Sequence, residues 1–88
     1  MKLKYTFVTN EVADKIVAVA VGDDLEKFNG FIKMNEVAAD IFGFLKEETT
    51  EDEVVAGMCK KYPDEDESEV RNTVKEFTAK LMEAGVLQ

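Results

Sequence analysis

A chain of 88 residues has room for one small domain with a modest core, and its hydrophobic fraction of 45% argues against intrinsic disorder. Its 11 Lys and Arg residues stand against 19 Asp and Glu, and the net charge of −8 disfavours nucleic acid and anionic membranes as partners, since both attract clustered cations. The chain has no His and a single Cys, which excludes a disulfide framework and the usual zinc-ligand spacings. We therefore expect one folded domain, residues 1–88.

No segment of the chain predicts insertion into a membrane. The apolar runs fall short of the roughly 20 residues that a transmembrane helix needs. Met1–Lys4 lacks the long apolar run and the small-residue cleavage site of a secretion signal. We therefore expect a cytoplasmic protein.

The first third of the chain predicts three antiparallel strands. Tyr5–Thr9 is rich in β-branched and aromatic residues, and Asn10–Asp14 predicts the turn that follows it. Lys15–Val21 has apolar residues on both faces, which indicates a central strand. Gly22–Asp24 predicts a second turn, and Lys27–Met34 a third strand. If the strands pair in sequence order, the third strand lies at an edge of the sheet.

Alternation along the third strand separates two sets of side chains. One set is expected to face the core: Phe28, Ile32 and Met34. The other set has the opposite parity: Asn29, Phe31 and Lys33. Two interpretations of Phe31 stay open, because it either lines a binding groove or packs beneath the first hairpin.

Two helix patterns follow the strands. Asn35 is the expected cap of the first helix, which ends near Lys46 or Glu47. The residues expected on its buried face are Val37, Ala38, Ile41, Phe44 and Leu45. Thr50, with Glu three residues later, predicts a capping box for the second helix. The residues expected on the buried face of the second helix, before Pro63 ends it, are Val54, Val55, Met58 and Tyr62.

A third helix is predicted from about Asp66 to Ala84. Its core stripe follows helical spacing: Val70, Val74, Phe77 and Leu81. A second line borders this stripe: Arg71, Lys75, Thr78 and Met82. Gly85 predicts a left-handed residue that ends the helix, after which Val86 and Leu87 fold back on the last turn.

The residue types that catalysis requires are missing. Nucleophilic catalysis by Ser or Cys needs a base such as His, which the chain lacks. The five glycines are scattered, so no phosphate-binding loop is formed. We therefore expect a protein that is not an enzyme, with no catalytic residues, no cofactor and no metal site.

A strand edge beside a helix offers a physical means of recognising a peptide. An extended peptide would pair with the edge of the third strand and set its side chains in a groove between that strand and the third helix. Each backbone hydrogen bond contributes about 0.5–1.5 kcal/mol net, so micromolar binding, about −8 kcal/mol, also requires apolar contacts. The same edge is able to pair with a second copy, which gives a homodimer as a further expectation.

Three segments together carry a family resemblance. Met34-Asn35 precedes the first helix, Ile41–Leu45 lies within it, and Leu81–Leu87 ends the third. In this order of strands and helices, nearly the whole chain resembles the PqqD family of RiPP recognition elements, which bind ribosomally made precursor peptides. Met34 stands where the family more commonly has Leu, and Lys46–Thr50 replaces its Gly-rich turn.

The resemblance implies an α+β fold of the winged helix-turn-helix type, with a three-stranded antiparallel sheet followed by three helices. It also implies a non-catalytic chaperone that captures the leader segment of a precursor peptide by strand addition. The partner implied is a modifying enzyme, expected to be a radical S-adenosylmethionine protein that holds any iron–sulfur cluster itself. The peptide-binding residues implied are Phe28, Asn29, Gly30, Phe31, Ile32 and Lys33 on the third strand, and Arg71, Val74, Lys75 and Thr78 on the third helix.

Two alternatives come from other classes of protein. A winged-helix DNA-binding domain has the same helical arrangement, but it should show a basic face, and the second helix offers only Lys60 and Lys61. A general protein–protein adaptor is the other alternative. Arg71 and Lys75 also have a structural interpretation, because cations on an exposed helix commonly pair with neighbouring acids.

Overall fold

The computed structural model describes residues 1–88 and has the predicted α+β architecture. Its strands are β1 (Phe7–Val12), β2 (Lys15–Ala20) and β3 (Phe31–Met34). They form one antiparallel sheet in the order β1-β2-β3, so β2 is central and β3 lies at an edge. Its helices are α1 (Glu36–Phe44), α2 (Glu51–Lys61) and α3 (Glu67–Glu83). The predicted order of three strands and three helices is therefore confirmed.

β1 begins and ends later than its residue types suggest. Asn10–Val12, predicted to be part of a turn, belongs to the strand, because Asn10 pairs with Val17 and Val12 with Lys15. The turn contains only Ala13 and Asp14, and Ala13 has a φ of 57°. The register with β2 extends the strand through polar residues whose local preference is for a turn.

β3 is shorter than predicted because Gly22–Leu25 forms a 3₁₀ helix. The backbone N–H of Phe28 donates to the carbonyl of Asp24 at 3.0 Å, which turns the chain before the strand can begin. The Asp24 carboxylate accepts a hydrogen bond at 2.8 Å from the backbone N–H of Thr6, which fixes this segment beside the start of β1. The strand therefore begins at Phe31 instead of Lys27.

The two faces of the sheet have different neighbours. Side chains on the inner face, which the helices cover, include Phe7, Ala18, Ala20 and Met34, and these are buried. The outer face carries the residues between them in sequence, and no helix lies against it. We keep the names inner face and outer face for these two surfaces below.

The buried face of α1 differs from the prediction at two phenylalanines. Phe42 is 1% exposed and packs against the ring of Phe7, with 5.3 Å between the ring centroids. Phe44, predicted to face the core, is 37% exposed and lies near Gly57 of α2. Ile41 and Leu45 are fully buried as expected, so α1 turns Phe42 towards the sheet.

The ends of the helices follow the predicted signals. The Asn35 side chain accepts a hydrogen bond from the N–H of Ala38 at 2.8 Å, and the Thr50 hydroxyl accepts one from the N–H of Glu53 at 3.2 Å. At the end of α3, Gly85 has a φ of 76°, and the N–H of Val86 donates to the carbonyl of Leu81 at 3.1 Å. This is a Schellman ending, and it turns the buried Val86 back into the core.

The two ends of the chain lie side by side. Leu3 and Leu87 form an antiparallel bridge, and both are buried. The N–H of Gln88 donates to the carbonyl of Lys2 at 2.8 Å. This pairing brings both ends of the chain into the hydrophobic core.

Candidate functional site

The outer edge of β3 has free backbone groups. β2 pairs with Phe31–Met34 on one side, and the backbone of these residues makes no hydrogen bond outside that ladder. In a strand paired on one side, the N–H and C=O groups of every second residue point away from the sheet. This edge can therefore accept another extended chain.

A groove of about 270 Å³ lies between this edge and α3. From β3 and the start of α1 it is lined by Ile32, Lys33, Met34, Asn35 and Ala38, and from α3 by Phe77, Lys80, Leu81 and Ala84. The lining contains two lysines and no carboxylate, although the whole chain has a net charge of −8. The groove is therefore apolar inside and locally cationic.

The strand residues predicted to bind a peptide lie along or just before this edge. Phe28 is half-buried, and its ring packs edge-on against Phe7 at 5.7 Å. Asn29 and Gly30 are exposed and lead into β3. Phe31 is 63% exposed and lies beside Val19 on the outer face, so it does not pack beneath the first hairpin.

The groove uses a different set of α3 residues from the predicted one. Val74 is fully buried, and Thr78 is 8% exposed, so both belong to the core. Lys75 is exposed but lies outside the lining of the groove. The α3 residues that line the groove lie further along the helix than the predicted set, while Val74 and Thr78 face inwards. Phe77, predicted to be core, packs against the core and also lines the groove.

Arg71 is held away from the groove by two ion pairs. Its Nη1 lies 2.8 Å from Asp52 Oδ1 and 3.0 Å from Glu51 Oε2, both at the start of α2. The hydrogen bonds to Asp52 and Glu51 raise the pKa of Arg71 above its usual value. The structural interpretation of Arg71 is thus the one that the geometry favours, although the acids belong to α2 and not to α3. The ion pairs tie the start of α2 to α3.

A second cavity of about 270 Å³ lies where the three helices meet. Its lining includes Val37 and Ile41 from α1, Met58 from α2, Tyr62 directly after α2, and Val70 from α3. Beside it, Asp40 accepts a hydrogen bond from the Tyr62 hydroxyl at 2.5 Å and one from Lys61 Nζ at 2.8 Å. No sequence pattern indicated this cluster, because Asp40 is 21 and 22 residues from its partners Lys61 and Tyr62.

The pKa values of the cluster follow from its contacts. Burial raises the pKa of Asp40, but the hydrogen bonds from Lys61 and Tyr62 outweigh burial, so that the pKa lies below its usual 3.8. The hydrogen bond to Asp40 is the main cause that raises the pKa of Tyr62 to about 12. The cluster therefore joins α1 to the end of α2 over the ordinary pH range.

Other kinds of site find little support in the geometry. No group of three or more Cys, Asp or Glu side chains is arranged to hold a metal ion. None of the helices is both long and apolar enough to cross a membrane. Of the two lysines at the end of α2, Lys61 is paired with Asp40, which leaves no basic face there for DNA.

Comparison with known proteins gives a match to the fold and a match to a family. No curated protein matches the chain in sequence. The solved structure of TbiB1 in complex with the TbiA(beta) leader peptide is similar over 100% of this chain and 95% of that chain, with a TM-score of 0.75 and 22% identity. That similarity shows a common fold. The model of the family described as coenzyme PQQ synthesis protein D (PqqD) matches residues 7–87, from the start of β1 to the buried Leu87. The chain therefore belongs to the PqqD family.

Proposed function

We propose that this domain captures the leader segment of a ribosomally synthesised precursor peptide by adding it as a strand to β3. The observation that carries the proposal is the free edge of Phe31–Met34 directly beside an apolar groove. Membership of the PqqD family supports the same role. The fold shared with TbiB1, whose solved structure contains a leader peptide, supports it further.

The energetics require both the edge and the groove. β3 has 4 residues, and each backbone hydrogen bond is worth only about 0.5–1.5 kcal/mol net. Backbone pairing alone therefore falls short of the roughly −8 kcal/mol of micromolar binding. Apolar peptide side chains set against Ile32, Phe77 and Leu81 supply the remainder, at about 25 cal/mol per Å² of apolar surface buried.

The contacts that we propose combine predicted and observed residues. Phe28, Asn29 and Gly30 guide the peptide onto the edge, and Phe31, Ile32 and Lys33 pair with it. On α3, Phe77, Lys80 and Ala84 line the groove, whereas Val74 and Thr78 support them from the core. Lys33 and Lys80 favour a leader with acidic residues near its apolar anchors.

We further propose that the captured leader is presented to a separate enzyme that modifies the rest of the precursor. A domain that holds the leader by its backbone leaves the remainder of the peptide free to enter another active site. The class of enzyme expected from the resemblance is a radical S-adenosylmethionine protein. The domain itself acts as a non-catalytic adaptor in this scheme.

Amide chemical-shift titration of the isotope-labelled domain tests capture. Candidate leader peptides encoded beside its gene should shift the amides of residues 31–34 and 77–84. Shifts centred on α2, or no shifts with any of these peptides, would contradict the proposal. Light scattering during the titration separates peptide capture from pairing of β3 edges between two copies.

A peptide methylated on alternate backbone nitrogens tests strand addition. Methylation on the residues that face β3 should abolish binding, whereas methylation on the intervening residues should leave the affinity within about threefold, because those N–H groups point away. Equal losses with both peptides would mean that the leader binds in another conformation.

Charge reversal tests the cationic rim of the groove. Lys80→Glu should weaken the binding of an acidic leader about tenfold at low salt and less at high salt. Lys60→Glu is the matched control, because Lys60 is exposed on α2 outside the groove. A larger loss of affinity with Lys75→Glu than with Lys80→Glu would mean that the peptide binds on the part of α3 predicted from the sequence.

A further inference from the structure

The outer face of the sheet is apolar although nothing covers it. A row of apolar residues, Val8, Val19 and Phe31, crosses all three strands at the end of the sheet where β3 begins. Phe31 is 63% exposed, Val8 44%, and Val12 near the end of β1 63%. An antiparallel sheet with one face in water normally carries polar residues there. An uncovered apolar row of this kind indicates an interaction surface.

The outer face also differs in charge from the rest of the molecule. The positions that point to this face are Val8, Asn10, Val12, Lys15, Val17, Val19, Phe31 and Lys33. Lys15 and Lys33 are its only charged residues, whereas the chain as a whole has 19 carboxylates and a net charge of −8. The face is therefore a cationic apolar surface on an anionic protein.

This charge pattern selects among the occupants of the face. A second copy docked face to face would bring two cationic faces together, and both chains have a net charge of −8. Both contributions are repulsive. A protein whose docking surface is apolar and bordered by carboxylates would instead meet complementary charge.

We propose that the outer face is the docking surface for the enzyme that modifies the captured peptide, through an apolar patch bordered by Asp and Glu. This inference rests on the proposed function for the identity of the partner. Phe31 ends the row of Val8, Val19 and Phe31 at the free edge of β3, so an enzyme on this face lies directly beside the bound leader. The groove and α3 lie on the inner side, which leaves both ligands room to bind together.

Variants in β1 and β2 test the surface away from the peptide site. Val8 lies on β1, and Lys15 lies at the start of β2, one residue before the part that pairs with β3. Val8→Glu and Lys15→Glu therefore change the outer face at exposed residues that do not touch β3. Thr9→Glu is the matched control, since Thr9 is exposed on β1 but has the parity of the inner face. The probes are the purified modifying enzymes encoded beside the gene, and affinity is measured with and without leader peptide.

We expect Val8→Glu and Lys15→Glu each to weaken enzyme binding about tenfold or more, with leader affinity unchanged. Thr9→Glu should leave both affinities unchanged, and the unfolding midpoint of each variant checks that it folds. Unaltered enzyme binding by the outer-face variants, or no enzyme binding by the wild-type domain, overturns the inference. A wild-type dimer that Val8→Glu dissociates also overturns it, because the face is then occupied by a second copy.

These outcomes separate the inference from the function on which it rests. If the wild-type domain binds no leader peptide, the proposed function at the β3 edge is contradicted. Leader binding with an enzyme that ignores the outer-face variants contradicts only the docking surface. The affinity for the leader peptide tests the first, and the affinity for the enzyme tests the second, on the same protein.

Discussion

The two faces of the sheet are built from similar residues but do different things. Ala18 and Ala20 on the inner face of β2 are buried beneath the helices, whereas Val17 and Val19 on the outer face of the same strand have no covering element. An apolar side chain contributes to folding only where another element removes it from water. The inner face therefore holds the domain together, and the outer face is available to a partner.

β3 has a different role on each of its two faces and along its free edge. Along the strand, Met34 points into the core and Lys33 points outwards, while the backbone edge between them is unpaired. One short strand thus contributes to the core, to the groove beside α3 and to the outer face. Changes at its side chains affect different surfaces, although they are adjacent in sequence.

Two phenylalanines give the largest expected contrast between the faces. Phe42→Ala removes a ring that is 1% exposed, and we expect it to lower the free energy of unfolding by about 3–5 kcal/mol. Phe31→Ala removes a ring that is 63% exposed, and we expect a loss below about 1 kcal/mol. Urea denaturation of both variants measures the difference, and similar losses would mean that the outer face is covered in the folded domain.

Two glycines test how the inner side is closed. Gly85→Ala should lower the free energy of unfolding by about 1–2 kcal/mol, because Gly85 has a φ of 76° and a Cβ is unfavourable there. Gly43→Ala is the control, since neither glycine has an atom within 4 Å of an added Cβ and Gly43 lies within α1. It should be neutral or stabilising by up to about 1 kcal/mol. Thermal unfolding measures both variants. A lower midpoint for Gly85→Ala and an unchanged or higher midpoint for Gly43→Ala would support this role of backbone conformation.

The turn between β1 and β2 should be open to improvement. Ala13 has a φ of 57°, a conformation that Gly adopts without a steric penalty. Ala13→Gly should therefore raise the free energy of unfolding by about 1 kcal/mol. Asp14→Gly, at the neighbouring turn position without a positive φ, is the control and should not stabilise. A loss of stability in Ala13→Gly would mean that the turn relaxes in solution.

The smallest effect is expected from the pH dependence of the helical side. Tyr62 has a pKa of about 12 in the folded domain against an ordinary value of 10, so its contribution to stability is present below pH 10. It is lost as the pH rises from 10 through 12, because the unfolded chain loses this proton first. Urea denaturation over this range should show a steeper fall for the wild type than for Tyr62→Phe. Parallel curves would mean that the contact with Asp40 is not maintained.

The sequence predicted the elements well because their signals are local. Asn35, Thr50 and Gly85 each act on backbone groups within a few residues, and each has the predicted role in the structure. The start of β3 was predicted wrongly because it depends on Asp24, whose carboxylate accepts a hydrogen bond from the N–H of Thr6, just before β1. A contact across 18 residues leaves no periodic signal in the sequence.

The position of the groove was predictable from the sequence, but the α3 residues that line it were not. The predicted order of the strands put β3 at an edge, and helical spacing correctly put Val74 in the core. The ion pairs that join Arg71 to α2 link residues 19 and 20 apart, and such contacts leave no signal in the spacing of α3. The peptide-binding residues on α3 stay a prediction, which the variants of Lys75 and Lys80 test.

The pairing of Leu3 with Leu87 makes the domain suited to insertion into other proteins. Because Lys2 and Gln88 are joined by a backbone hydrogen bond, the chain leaves the fold close to where it enters. Short linkers at these positions would connect it to a host protein at a single point of attachment. Neither Leu3 nor Leu87 belongs to the β3 edge or the outer face, so we expect a fused copy to keep the two proposed binding surfaces of a free one.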